Sequence, residues 1–125
     1  MQQMWTTETD MPIDRTDHEA VTVVRPEGER LDIAVASDFR NALLELIENG
    51  RRNLVVNLQG VSFIDSSGLG ALVSALKTLK ANGGKGDVRL AEVQEPVVAL
   101  LEIIRLNRVF STYPSVEKAV QSYDS

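Results

Sequence analysis

Val61-Ser62-Phe63-Ile64-Asp65-Ser66-Ser67-Gly68-Leu69-Gly70 stands between two different hydrophobic rhythms. Before it, Asn53 to Leu58 (Asn-Leu-Val-Val-Asn-Leu) is a short apolar run that suits a buried strand. After it, Leu69, Leu72, Val73, Leu76 and Leu79 recur at helical spacing through to Lys80. The segment is therefore a loop-to-helix junction. Asp and Ser are favoured there because their side-chain oxygens accept from the orphan amides of the first helical turn. Taken locally, capping alone explains short polar residues before a leucine-periodic run.

The flanking sequence extends the pattern. Upstream, Met11 to Thr16 fits a short edge strand that tolerates Pro12, and Asp17, His18 and Glu19 read as a turn. Ala20 to Arg25 is rich in β-branched residues and reads as a strand, broken by Pro26 to Gly28. Glu29 to Ile33 either extends the sheet or leads into the next helix. Ala36 to Asn49 is helical by period, with Phe39, Leu43, Leu46 and Ile47 on one face and Gly50 placed for a left-handed cap.

Downstream, Asn82 to Gly86 stop the helix that follows the junction. Val88 to Val93 is a strand. Pro96 opens a third helix whose buried face would be Val97, Leu100, Leu101 and Ile104, with Asn107 closing it. Val109 to Thr112 reads as a short strand. Pro114 to Tyr123 reads as a last helix with Val116, Val120 and Tyr123 inward. Strands alternating with helices after a first hairpin imply an α/β domain with a mixed sheet of four to five strands and about four helices. The domain is expected over residues 11–123, with a patternless tail at 1–10 and a short one at 124–125. Trp5 in the first tail is either a loose cover over the core or an anchor for a partner.

Composition narrows the chemistry. A net charge of −5 disfavours nucleic acid, whose phosphates need a basic surface. There is no cysteine, which removes disulfides, thiolate metal sites and a cysteine nucleophile. The single histidine, His18, lies in sequence far from Asp65, so a Ser-His-Asp triad is disfavoured, and the glycines of a nucleophile elbow are absent around Ser66 and Ser67. One histidine and no cysteine also leave no zinc set. Gly83-Gly84-Lys85-Gly86 lacks both the leading spacing of a phosphate loop and a Ser or Thr after the lysine. No apolar run approaches the ~20 residues of a membrane span, and Met1 to Asp17 has no basic stretch followed by an apolar one, so the expected compartment is the cytoplasm and direct membrane insertion is not expected. A monomer is expected, with no cofactor and no metal.

Asp65-Ser66-Ser67-Gly68 also permits a second use. A kinase can reach a hydroxyl at a helix N-terminus, and a phosphate there would meet free amides and the positive end of the helix dipole. It adds roughly −1.5 to −2 charge. Beside Asp65, at ~5 Å and an effective dielectric of ~20, each unit of like charge costs about 3 kcal/mol before screening. The exposed face of the helix would carry Gly70, Ser74 and Lys77, over which another protein could lie closely.

Val61 to Val73, VSFIDSSGLGALV, resembles the signature of the STAS family, most closely its anti-sigma factor antagonist branch. The resemblance runs from about Met11 to Tyr123. Gly28-Glu29-Arg30-Leu31-Asp32 is similar to the family's Gly-Glu-Leu-Asp segment with one extra residue, and Ile33 and Ala34 stand where the family often has polar ones. The resemblance implies a STAS-like α/β fold with Ser66 as the phosphoacceptor and Asp32 close to it. It implies a partner surface of Asp32, Asp65, Ser66, Ser67, Gly68, Gly70, Ser74 and Lys77. It further implies a serine-kinase anti-sigma factor of the histidine-kinase-like ATPase class as partner, and a metal-dependent PP2C-type serine phosphatase that restores the hydroxyl. The domain itself would catalyse nothing. Two alternatives stay open. One is an unphosphorylated accessory subunit of a lipid-transport or other membrane complex. The other is a small hydrolase using Asp65 and Ser66.

Overall fold

The computed structural model describes residues 13–124, apart from the side chain of Asn82. The readings made for Met1 to Asp10, Trp5, Met11 and Pro12 lie outside the described residues, as does Ser125.

Among the described residues, seven strands and four α-helices build an α/β domain: β1 (Ile13–His18), β2 (Val21–Pro26), β3 (Arg30–Leu31), α1 (Ala36–Glu48), β4 (Asn53–Asn57), β5 (Phe63–Ile64), α2 (Ser66–Lys80), β6 (Asp87–Ala91), α3 (Glu95–Ile103), β7 (Thr112–Tyr113) and α4 (Val116–Gln121). The main sheet has the order β1-β2-β4-β6-β7. Only β1 runs antiparallel to its neighbour, so the sheet is mixed as expected. β3 and β5 form a separate parallel pair.

The central strands are apolar on both faces because both are covered. Val24, Leu54, Val56, Val88 and Leu90 join a core with Phe39, Leu43, Leu46 and Ile47 of α1 and Leu69, Leu72, Ala75 and Leu79 of α2. On the other face Val21, Val23, Val55 and Ala91 pack with Ala119 of the short α4. Burying one such Leu or Phe side chain contributes about 1.5–3 kcal/mol, so the double layer rests mostly on the first face. α4 is held partly by Tyr123, whose hydroxyl lies 2.7 Å from both Leu54 O and Asp87 O and shares its one proton between these two acceptors. Gly50 closes α1 as expected. At φ +97° it lets Arg51 N donate to Leu46 O while Gly50 N donates to Ile47 O.

Several expected boundaries move. Asp17 and His18 belong to β1, paired with Thr22 and Val21, and the turn contracts to Glu19 and Ala20 because Glu19 adopts φ +57°. β6 stops at Ala91 rather than Val93. α3 ends at Ile103, ahead of Asn107, and Arg105 then turns left-handed at φ +66°; Ile104 is consequently exposed rather than inward. Val109 lies in a turn, its amide donating to Leu106 O, and the last strand is displaced to Thr112–Tyr113. In the last helix the buried contact is Ala119, with Val116, Val120 and Tyr123 only partly buried around it. Among the described residues no helix is long and apolar enough to cross a membrane.

Candidate functional site

Asp65 is the hub of the junction. Its backbone is extended, at φ −110° and ψ −174°, which turns the side chain back over the start of α2. Oδ1 accepts from Ser67 N at 2.9 Å and from Gly68 N at 3.0 Å. Oδ2 reaches across to the segment before α1 and accepts from Ile33 N at 3.0 Å. One carboxylate thus ties the first turn of α2 to a loop 32 residues away in sequence. The β3–β5 pair holds these segments in register, and Asp65 N also donates to Leu31 O.

The expected free amides are therefore not free. Two amides at the N-terminus of α2 are already used by Asp65, and a phosphate on a neighbouring serine would compete with that carboxylate for them. Ser66 is exposed, and among the described residues its hydroxyl makes no hydrogen bond. Ser67 is half-buried and faces a groove between α1 and α2.

Gly68, read from the sequence as a partner contact, is buried. A Cβ at this position would stand 2.2 Å from Leu31 O and 2.9 Å from Ile64 Cγ1. Glycine is needed here so that α2 can lie against β3, and its backbone is turned inward. Asp32 directly precedes Ile33, whose amide donates to Asp65 Oδ2. Asp32 Oδ1 accepts from Ala34 N at 3.2 Å, its Oδ2 from Arg30 Nε at 3.1 Å, and its carbonyl from Val35 N and Ala36 N, so it shapes the entry to α1. The inserted Arg30 is accommodated by stacking its guanidinium 4.2 Å above the Phe63 ring.

The groove has a volume of about 340 Å³. Ile33, Ser37 and Arg40 form one wall and Ser67, Gly70 and Ser74 the other. Gly70 and Lys77 are exposed and Ser74 is half-buried. The wall on α1 escaped the sequence reading because the pairing of α1 with α2 is long-range. Its one local signal is Ile33, an apolar residue at a loop position, which is 77% exposed. His18 sits where β1 meets Val21, the start of β2, whereas the junction lies beyond the other end of that strand. Among the described residues no group of three or more His, Asp or Glu side chains is placed to hold a metal.

Known proteins share this architecture. The STAS domain model matches residues 12–119. The anti-sigma-B factor antagonist of Staphylococcus aureus is 32% identical over 94 residues, covering 75% of this chain and 84% of that protein. The anti-sigma F factor antagonist of Paenibacillus polymyxa is 29% identical over 111 residues, covering 88% and 92%. Among solved structures, an anti-sigma factor antagonist from Mycobacterium paratuberculosis superimposes with a TM-score of 0.78 at 22% identity, covering 91% and 94%. The phosphorylated form of the Bacillus cell fate determinant SpoIIAA superimposes with a TM-score of 0.67 at 19% identity, covering 90% and 99%. At these identities the two structures show a shared fold. With the family model spanning most of the chain and the curated relatives agreeing along it, the chain belongs to the STAS domain family, among the anti-sigma factor antagonists.

Proposed function

We propose that the protein is a phosphorylation-controlled partner switch in the cytoplasm. In this reading the unmodified form binds a serine-kinase anti-sigma factor of the histidine-kinase-like ATPase class. That kinase phosphorylates Ser66 and the modified form lets go. A PP2C-type phosphatase restores the hydroxyl. Asp32, Asp65, Ser66, Ser67, Gly70, Ser74 and Lys77 would contribute to the contact, joined by Ile33, Ser37 and Arg40 across the groove. The domain acts as a regulatory binding module and performs no chemistry of its own.

The observation that carries this reading is the position of Ser66 beside a carboxylate whose two oxygens are already committed to Ser67, Gly68 and Ile33 amides. A phosphate on Ser66 would find no vacant nest at those amides. It would repel Asp65 by about 3 kcal/mol per unit charge at ~5 Å. Either the phosphate is held outward on the partner face or Asp65 releases the Ile33 loop; both change the surface while the core stays intact. Exposure favours Ser66 over the half-buried Ser67 as the group a kinase reaches.

The test is capture from native cytoplasm with two baits, Ser66→Ala and Ser66→Asp, read by mass spectrometry after circular dichroism has shown both folded. A kinase-like ATPase held by the alanine bait and lost from the aspartate bait supports the switch. The same membrane-transport proteins on both baits would overturn it in favour of an accessory subunit.

A further inference from the structure

The helix α3 carries an apolar stripe on the side that faces away from the core. Val97 and Leu101 are buried, while Pro96, Ala99 and Ile103 are exposed and Leu100 is half-buried. A surface helix ordinarily turns polar residues to water. Here Pro96, Leu100 and Ile103 instead line a cleft of about 380 Å³ with Phe63 and Ile64. Ile103 is 76% exposed, and Ile104, just past the helix, 43%. A contiguous apolar patch of this kind marks a surface that another molecule covers.

The charges around the stripe point to the kind of molecule. Glu95 stands in the first turn of α3, and Arg105 and Arg108 follow its end. All three are exposed, and none of them forms an ion pair among the described residues. An acid at the start and bases past the end make this helix complementary to a copy of itself running in the opposite direction, and the two helix dipoles then also lie antiparallel. A copy running in the same direction would set Glu95 against Glu95 and Arg105 against Arg105, which is repulsive.

We propose that the patch is the interface of a two-fold symmetric homodimer in which α3 packs antiparallel against α3 of a second copy. With Leu100 at the axis, Glu95 of each copy falls opposite Arg105 of the other, and Pro96 opposite Ile104. Glu102 falls opposite Val98 rather than a second acid. Ala99, beside the axis, is small and lets the helices approach to the usual ~8–10 Å. Ile103 of each copy then covers the cleft of the other, and every contact is made twice, as a two-fold interface requires. Nine residues of helix give a small interface, about 1,000–1,200 Å² in total, so a dissociation constant near ~10 µM is expected. Ser66 takes no part, and the dimer stands or falls independently of the switch.

Sedimentation velocity of the intact chain from ~2 to ~200 µM brackets that constant. The weight-average mass should climb from 13.8 kDa toward twice that value. Ile103→Glu, at a position exposed enough to leave far-UV circular dichroism unchanged, should hold the chain monomeric throughout. Glu95→Arg and Arg105→Glu should each weaken self-association roughly tenfold, because each sets like charges against one another twice per dimer. An equimolar mixture of these two variants should associate again, because every pairing across the mixed dimer then joins opposite charges. That recovery also shows that both variants are folded. A monomer at every concentration overturns the proposal and leaves the patch to a different protein. A dimer indifferent to Ile103→Glu, or charge variants that associate no better together than apart, overturns it equally.

Discussion

Replacing Asp65 separates two jobs done by one carboxylate. In Asp65→Ala the amides of Ser67 and Gly68 lose their acceptor, and loss of such a cap costs about 1 kcal/mol. The bond from Ile33 N is lost as well, and at that exposed position it contributes ~0.5–1 kcal/mol. The sum is about 2 kcal/mol, or a fall in Tm of ~8 °C for a domain of this size. Asparagine caps as well as aspartate, so Asp65→Asn keeps the helix start. Its amide nitrogen, however, faces the Ile33 N–H with a second donor, and the expected loss is only about 1 kcal/mol. Urea denaturation followed by circular dichroism measures both. Amide hydrogen exchange resolves them: Ile33 should lose protection in both variants, Ser67 and Gly68 only in the alanine variant. Equal losses in the two variants, or an alanine variant within ~0.5 kcal/mol of the parent, would refute the bridging role of the carboxylate.

Gly68→Ala should destabilise by about 3 kcal/mol, because the new Cβ meets the Leu31 carbonyl at 2.2 Å and only movement of α2 away from β3 relieves it; a thermal melt checks this, and a change below ~1 kcal/mol would contradict the packing described. Burial, with Asp87 adding to it, pushes the Tyr123 phenol well above its usual range. The unfolded chain therefore releases this proton near pH ~10 while the folded chain keeps it, so stability should fall as pH rises past that point. Tyr123→Phe should flatten that alkaline slope in urea titrations at stepped pH, at the expense of the hydrogen bonds to Leu54 O and Asp87 O.

The local features were legible in the sequence. Asp65 declared itself as a cap, Gly50 as a left-handed stop, and the Leu69, Leu72, Leu79 spacing as a helix against the core, since each depends on neighbours within a turn or two. What the sequence concealed depends on distant partners. β5 is only two residues long and exists because Arg30 and Leu31 lie alongside it. The groove needs α1 beside α2, so nothing local marks Ser37 and Arg40 as its lining. Gly68 was legible as part of a motif but not as a contact, because the Leu31 carbonyl that excludes any side chain there arrives from 37 positions upstream. Val109 misled for the opposite reason: its β-branched side chain suggested a strand, while the left-handed backbone at Arg105 set up a turn.

The two margins of the main sheet have a bearing on how the molecule meets its own kind. β1, on one side, reads Ile-Asp-Arg-Thr-Asp-His, and every residue after Ile13 faces solvent, with Arg15 bonded to Asp17 along the strand. β7, on the other side, is two residues long. An incoming strand would have to strip water from a row of charges on the first margin and would find almost no ladder to extend on the second. Polymerisation by strand addition is thereby discouraged from both directions, and a crowded solution of this protein should remain free of fibres, with any association between copies left to its helices.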